Sequence, residues 1–388
     1  MTAITSEISE FVEDLVGRIP PFPNPFRKPF AAVAWTVRTA FGIVTLILLL
    51  AVVAAVPLLN VLALGYLLDV EGRVARSGKL RSAFPLLDLA PKIGSIALGI
   101  WLWIIPIRLL AGAAADARLI DPQSASAANL EGITFLAACL VTVHLCLALG
   151  RGGGFWYFCR PIKNVKWLIR QFREGHDWEQ SERQVRSFVA GLRLKHHFWL
   201  GLRGFLGAAV WLFLPTALLA AAEKTEGGPI LVTVLGGLCL VPVLAWLPFL
   251  QARFAAQNRL RAMFELGSIR QLFAKAPIAW LLAVIVVYTL TLPLYLLKVA
   301  LPPQDAMWFV TIVFLVSIYP AKVAVGWAYH RAVTKEKRAW FGLRWISRAL
   351  MVPLLGLYVF LLFFTQFIGA QGKLVLFQHH AFLLPVPF

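Results

Sequence analysis

The residues best suited to chemistry in this chain lie in the stretch RLKHHFWLGLRGFLG, from Arg193 to Gly207. Its adjacent histidines, His196 and His197, could bind a metal or act as general bases, because imidazole does both near neutral pH. On a helix, however, consecutive side chains point about 100° apart, so the two rings would not face one metal ion. No carboxylate or cysteine follows at a ligand spacing. We therefore predict neither a metal site nor a catalytic site here.

No other stretch offers a catalytic, metal-binding or cofactor-binding pattern. The glycine-rich run Gly150–Gly154 lacks the lysine and hydroxyl residue of a phosphate-binding loop. Paired carboxylates and Ser/His/Asp arrangements have no local signature. The second histidine pair, His379-His380, lies in an apolar tail and receives the same interpretation as the first. The sequence thus predicts a protein that is not an enzyme and has no cofactor.

The composition predicts the class of fold that contains these histidines and their neighbours. The chain has 388 residues, of which 60% are hydrophobic and only 14% are charged, against roughly 25% charged in soluble proteins. Its apolar residues are gathered in runs of about 20, the length that crosses ~30 Å of hydrocarbon as a helix. We therefore expect an all-α fold, a polytopic transmembrane helix bundle.

Eight apolar segments are predicted, within a transmembrane domain over residues 40–370. An amphipathic or interfacial segment over residues 1–39 precedes this domain, and an apolar tail over residues 371–388 follows it. The segments run near residues 41–67, 93–112, 133–150, 199–221, 229–250, 276–297, 308–329 and 347–369.

The net charge of +18 is concentrated in alternate connectors. Most of the 37 Lys and Arg residues lie in four of them: Leu68–Lys92, Arg151–Phe198, Gln251–Lys275 and His330–Arg348. Short loops rich in Lys and Arg stay on the cytoplasmic side of a membrane. The pattern predicts a multi-pass protein of the bacterial cytoplasmic (inner) membrane with these four connectors in the cytoplasm.

The first segment, Phe41–Leu67, leaves two alternatives open. It could cross the membrane once, which would translocate the N-terminus. It could instead be a hairpin, broken near Pro57, that returns to the same side; such a bend must be buried in protein.

The alternation of basic and non-basic connectors also suggests repeated helical hairpins. Gly78–Ser82 in the first basic connector resembles Gly267–Gln271 in the third, and each is followed by a span.

The longest basic connector predicts two amphipathic helices. The first begins at Pro161, with apolar residues at helical spacing (Ile162, Val165, Leu168, Ile169, Phe172) and cations on its other faces (Lys163, Lys166, Arg170, Arg173). The second covers 178–192. Cationic helices with aromatic apolar faces lie in the bilayer interface. We predict an interface with anionic lipid headgroups, formed by these cations and by Arg193, Lys195, His196, His197 and Trp199, and we expect no nucleic-acid partner because anionic lipid is the nearer polyanion.

Ionisable residues inside spans are functional candidates by default, and four are predicted: Arg108, His144, Arg203 and Lys322. No carboxylate is expected deep enough in a span to pair with them. Arg203 lies one turn inside its segment and Lys322 lies in the inner half of its own, so both can extend toward the interface. Arg108 and His144 are the candidates for lining a transport path.

Two stretches resemble a known group of proteins. VPLLNVLALGYLLDVEGRVARSGKL (Val56–Leu80) and HHFWLGLRGFLGAAVWLFLP (His196–Pro215) resemble a bacterial and archaeal multi-span membrane family, a domain of unknown function found in planctomycete-type bacteria. They are more distantly similar to the membrane domains fused to some glycerophosphodiester phosphodiesterases. The resemblance implies a hairpin-built membrane domain and no particular activity.

Together these observations predict a non-enzymatic membrane scaffold or lipid-interacting protein, with membrane lipids, preferentially anionic, as partners and another membrane protein as a further candidate partner. The alternative is a transporter or permease-like carrier of an anionic or lipidic solute.

Overall fold

A computed structural model describes residues 22–174, 178–221, 228–297, 303, 306–369 and 371–386. Within these ranges the regular elements are all helical. The α-helices are α1 Pro29–Ala55, α2 Asn60–Ser77, α3 Ala90–Ile120, α4 Ala125–Gly150, α5 Phe155–Phe158, α6 Pro161–Glu174, α7 Trp178–Gly191, α8 Leu194–Leu219, α9 Gly228–Gln257, α10 Leu266–Lys275, α11 Pro277–Leu296, α12 Met307–Thr334 and α13 Phe341–Ile368, with 3₁₀ turns at Leu80–Ala83, Leu260–Phe264 and Gly372–Phe377.

Eight stretches among the described residues are long and apolar enough to cross a membrane. They lie in α1, α3, α4, α8, α9, α11, α12 and α13, and the one in α8 reaches back to Val185. Many large apolar side chains on these helices are exposed in the chain itself, as expected where lipid rather than water is the solvent. The predicted class, an all-α polytopic helix bundle, is confirmed.

The first predicted segment differs most from the structure. The helix α1 begins at Pro29 and ends at Ala55, and α2 begins only at Asn60. Pro57 lies in the break, and Leu58 has a left-handed φ of 69°. One continuous helix over Phe41–Leu67 is therefore wrong, and the break at Pro57 is the one that the hairpin alternative requires. Residues 1–21 of the predicted N-terminal segment lie outside the described residues.

The chain forms two compact units, and the larger one contains Ile47–Pro85 and Arg193–Phe388. At its centre α2 packs against three helices, α8, α9 and α12. Glycine allows these close approaches. A Cβ at Gly65 would overlap the carbonyl oxygen of His197 on α8, and a Cβ at Gly72 would lie 2.5 Å from the carbonyl oxygen of Ala255 on α9.

The C-terminal segment completes this unit. The turn Gly372–Phe377 packs on α13, and the apolar residues Ala381, Phe382, Leu383 and Val386 are buried. The predicted apolar tail therefore folds into the unit. His379 and His380 are buried there too, so their interpretation as interfacial anchors is corrected: His379 Nε2 contacts Thr216 Oγ1 at 2.8 Å, and burial lowers the pKa of His379 to about 4.

The smaller unit contains Phe22–Leu46 and Leu86–Leu192. Here α3 packs along α4, and the short α5 and the amphipathic α6 pack on this pair. The indole of Trp103 donates to the carbonyl oxygen of Phe158 at 2.8 Å, which ties α5 to α3.

A local correspondence links the ends of α2 and α9. Each helix ends at a residue with left-handed φ, Gly78 at 66° and Asn258 at 52°. An extended cation and a 3₁₀ turn follow in both places, within the similar sequences KLRSAF and RLRAMF. The sequence comparison paired Gly78–Ser82 with Gly267–Gln271 instead, which lies inside α10. The predicted hairpin repeat itself stays a prediction.

Candidate functional site

The residues that could do chemistry converge on α2. Among the polar or ionisable side chains of this helix, Tyr66, Asp69, Glu71 and Arg73 are buried. A charged side chain is tolerated inside a protein only when it is paired. The helix α2 is not a candidate span, and its neighbours α8, α9 and α12 supply the partners. We call this group and its partners the α2 ionic cluster.

One half of the α2 ionic cluster is built around Asp69. Arg73 Nε donates to Asp69 Oδ2 at 3.1 Å, one helical turn away. From α8, His197 Nε2 lies 3.5 Å from the same oxygen, and His196 Nε2 lies 3.9 Å from Asp69 Oδ1. Burial alone would raise the pKa of Asp69, but the two histidines and the charge of Arg73 outweigh it and hold the pKa well below its usual range. The carboxyl group is therefore ionised.

This geometry corrects the reading of His197 as a membrane anchor. His197 is only 3% exposed, because α8 turns it toward α2 rather than toward the bilayer interface. The side chain of His196 is 28% exposed. The two adjacent histidines point apart, as predicted. Both nevertheless approach the carboxylate of Asp69, because each ring lies near a different one of its two oxygens across the interface between α2 and α8.

Two tyrosines fix the turn that follows α2. Tyr66 donates to the carbonyl oxygen of Pro85 at 2.7 Å, and Tyr319 on α12 donates to that of Ala83 at 2.6 Å. Their hydroxyl oxygens are 3.3 Å apart. The basic turn Leu80–Ala83 is thereby held against α12.

The other half of the α2 ionic cluster is a buried ion pair. Lys322 Nζ on α12 donates to Glu71 Oε2 at 3.1 Å and to Gln251 Oε1 on α9 at 2.7 Å. Gln251 Nε2 in turn donates to the carbonyl oxygen of Phe382 at 2.8 Å. Burial raises the pKa of Glu71 to about 7, against the opposing effect of the Lys322 charge.

Lys322 was predicted to extend toward the interface without a carboxylate partner, and this is wrong. The side chain is 4% exposed and the Glu71 side chain 0%. Arg203 is also tethered: its guanidinium donates to the carbonyl oxygen of Trp199 at 3.1 Å and to Asn258 Oδ1 at 2.8 Å.

A cavity of about 80 Å³ opens beside Asp69. Three arginines line it, Arg73 and Arg76 from α2 and Arg193 from the start of α8, together with His196. Arg76 donates to the carbonyl oxygens of Ala255 and Ala256 at 3.3 and 3.2 Å, so its guanidinium is fixed at the C-terminal end of α9. We call this space the arginine cavity.

The two intramembrane candidates of the smaller unit are not brought together. Arg108 is exposed on α3. His144 on α4 is buried, with Nε2 2.9 Å from the carbonyl oxygen of Phe158 and Nδ1 3.3 Å from the amide nitrogen of Asn164. His144 thus has a structural environment that holds α4, α5 and α6 together, and a path lined by both residues has no support in this geometry.

The residues of α6 and α8 that were predicted as headgroup candidates stay candidates, and the structure gives their exposure. Lys163, Lys166, Arg170 and Arg173 are all exposed, as are Lys195 and Trp199 at the start of α8. The face of α6 that packs on its own unit is a different one, formed by Asn164, Trp167, Leu168 and Gln171. The apolar side chains of Ile162, Val165, Ile169 and Phe172 are left 48–72% exposed.

No group of three or more His, Cys, Asp or Glu in the described part of the chain is arranged to hold a metal ion. Comparison of the chain with protein-family models, with curated proteins and with solved structures finds no match. The resemblance to a planctomycete-type membrane family therefore stays a prediction, and function rests on the site itself.

Sequence reasoning missed Asp69, Glu71, Arg73 and Gln251 because it placed them in basic connectors. A signal was present: both carboxylates fall in a helical stretch between Gly65 and Gly72. Small residues on the same face of a helix indicate close helix packing. This pattern would have identified α2 as an interior helix.

Proposed function

We propose that this multi-pass membrane protein is a non-enzymatic, lipid-interacting scaffold of the bacterial inner membrane, with its basic connectors in the cytoplasm and α6 lying on anionic lipid. The observation that carries the proposal is the three-sided surface of α6. One face packs inward through Asn164, whose amide donates to the carbonyl oxygen of Tyr157 at 2.8 Å. A second face is apolar and exposed, and a third carries cations.

The exposed faces of α6 match the physics of a bilayer interface. The apolar stripe (Ile162, Val165, Ile169, Phe172) and the cationic stripe (Lys163, Lys166, Arg170, Arg173) each follow the spacing i, i+3, i+7, i+10, so they run side by side along the helix. An interfacial helix buries its apolar face in the acyl boundary and keeps its cations at the headgroups. Each Lys or Arg near an anionic surface contributes about 1 kcal/mol.

Site-directed spin labelling of the full-length protein tests this arrangement. In a background with the four cysteines replaced, labels are placed at Phe172 in the apolar stripe and at Lys163 in the cationic stripe, in nanodiscs with and without phosphatidylglycerol. We expect the Phe172 label to be accessible to oxygen and the Lys163 label to a water-soluble nickel complex. The double substitution Lys166→Gln, Arg170→Gln should reduce the difference in label accessibility between anionic and neutral nanodiscs. If the labels lie at the same depth in anionic and neutral nanodiscs while Lys166 and Arg170 are present, the preference for anionic lipid is contradicted.

A second candidate function, a carrier of an anionic or lipidic solute, is favoured by the buried Glu71–Lys322 pair. Ionisable pairs inside helical bundles often bind the solute or coupling ion of a carrier. Electrogenic currents from proteoliposomes, recorded on a solid-supported membrane while organic anions and phosphate esters are added, test this candidate. Currents that disappear in Glu71→Gln support a carrier, and their absence with every solute argues for the scaffold.

A further inference from the structure

The arginine cavity is lined by far more positive than negative charge. Asp69 is the one carboxylate among its lining residues, against Arg73, Arg76 and Arg193. Arg73 is committed to Asp69 through the bond from Nε to Oδ2, and Arg76 and Arg193 are the other two cations of the lining. Such a wall attracts anions, and arginine is the side chain whose planar fork fits phosphate and carboxylate oxygens.

Two helix ends meet at the cavity: the last turn of α9 provides carbonyl oxygens that accept from Arg76, and the first turn of α8 provides amides. The helix α8 begins at the cavity, and its N-cap residue, Arg193, has φ 50° and makes no side-chain capping bond. The first amides of a helix have no acceptor within the helix, and the positive end of the helix dipole favours an anion there. His196, in the first turn of α8, lines the same wall, and its Nε2 lies 3.9 Å from Asp69 Oδ1.

Size and access limit the ligand. A single water needs roughly 10–15 Å³ measured in this way, so about 80 Å³ holds a group of several heavy atoms such as a phosphate. Arg76 is exposed and His196 is partly so, which shows that the cavity reaches the surface. A charged group can therefore enter while the rest of its molecule stays outside.

We propose that the arginine cavity is a binding site for one phosphate oxyanion, held by Arg76, Arg193 and the first turn of α8. Arg73 orients the site by fixing Asp69. The phosphate belongs either to the headgroup of an anionic lipid or to a soluble phosphate compound, because both present the same oxygens. The site lies in the larger unit and uses none of the residues of α6, so it goes beyond the scaffold proposal and does not depend on it.

The test uses full-length protein in two settings. In neutral maltoside micelles, inorganic phosphate is titrated by calorimetry. In phosphatidylcholine nanodiscs doped with phosphatidic acid, bound lipid is counted by native mass spectrometry. Saturable binding of one phosphate in micelles identifies a soluble ligand, and saturable binding of lipid alone identifies a headgroup. No saturable binding in either setting overturns the proposal.

The decisive variant is the double substitution Arg76→Gln, Arg193→Gln, which leaves the Asp69–Arg73 pair in place. Its matched control is Arg81→Gln, Arg270→Gln, which removes the same charge from two exposed positions outside the cavity. We expect at least about a tenfold loss of affinity in the first and less than about twofold in the second, because bonds to charged groups are lost only in the first. An equal loss in both variants shows a general charge effect and contradicts a built site.

Two further checks keep the outcomes separate. Thermal unfolding of both double variants shows whether a loss of binding is a loss of fold. The α6 variant Lys166→Gln, Arg170→Gln should bind phosphate like the unsubstituted protein, so failure of the scaffold proposal and failure of the cavity proposal give different results.

Discussion

The helices α2 and α6 carry similar numbers of charged residues, but most of those in α2 are buried and the cations of α6 are exposed. In α2, Asp69, Glu71 and Arg73 are buried and each is paired. In α6, the cations are exposed, and the buried polar residue is the uncharged Asn164. A proline lies near the start of each helix, Pro57 three residues before α2 and Pro161 as the first residue of α6, so this start signal does not distinguish them. What differs is the surroundings: three packed helices enclose α2, whereas the apolar and cationic stripes of α6 are exposed among the described residues.

The comparison shows under which conditions a charged side chain is buried in this chain. A charge in a low-dielectric interior is retained only with a partner and with its remaining hydrogen bonds made. Around α2 the partners come from α8, α9 and α12. Among the described residues α6 has no such enclosure, and its cations stay exposed.

The largest expected effect comes from breaking the buried pair. Lys322→Met should lower the free energy of unfolding by about 3–5 kcal/mol at pH 8, because it leaves Glu71 buried without its counter-charge. The exposed counterpart, Lys163→Met in α6, should change it by less than about 0.5 kcal/mol. Unfolding in mixed detergent and dodecyl sulfate micelles measures both.

A partner substitution sharpens this contrast. Glu71→Gln combined with Lys322→Met should recover part of the stability that Lys322→Met loses, since no lone charge remains. If Lys322→Met and Lys163→Met cost the same, the pair is not buried as described.

An intermediate effect comes from the close approach of α2 and α8. Gly65→Ala would place a methyl group against the carbonyl oxygen of His197, and the helices must separate, at about 1–3 kcal/mol. Gly356→Ala on α13 is the control, because nothing lies within 4 Å of its added Cβ. There the higher helix propensity of alanine should stabilise by up to about 1 kcal/mol. Thermal midpoints that move in the same direction for both variants would contradict this packing.

The last expected effect needs no substitution and is a pH dependence carried by α2. Because the pKa of Glu71 is raised to about 7 from 4.5, its contribution to stability is complete below pH 4.5 and is lost as the pH rises through about 7, by at most on the order of 3 kcal/mol. Asp69 behaves in the opposite sense: its lowered pKa gives a stabilisation present above about pH 3.9 and lost only in stronger acid.

Unfolding measured between pH 5 and pH 8.5 separates the two carboxylates. The unsubstituted protein should lose stability across this range, and Glu71→Gln should remove most of that loss. Asp69 stays ionised throughout, so it contributes no slope. Identical pH profiles for the unsubstituted protein and Glu71→Gln would refute the raised pKa.

Much of the fold was predictable because hydrophobic length is a local property. The segments near α3, α4, α8, α9, α11, α12 and α13 follow from runs of apolar residues, and Pro161 marks the start of α6 as expected. The wrong predictions also come from interpreting short stretches of sequence without their neighbours in space. Phe41–Leu67 reads as one apolar run, yet Pro57 divides it, and Asp69 and Glu71 then read as loop residues because charge was taken as a sign of exposure.

The amino-acid sequence by itself determined the class of this protein, the number of its apolar spans and the basic, amphipathic character of α6, since each depends on residues close together in the chain. Only the tertiary structure decided that α2 is an interior helix, that Lys322 meets Glu71, and that Arg73, Arg76 and Arg193 surround one cavity. These contacts join residues far apart in the sequence, and the free energy of burying a charge depends on which partners the fold brings to it.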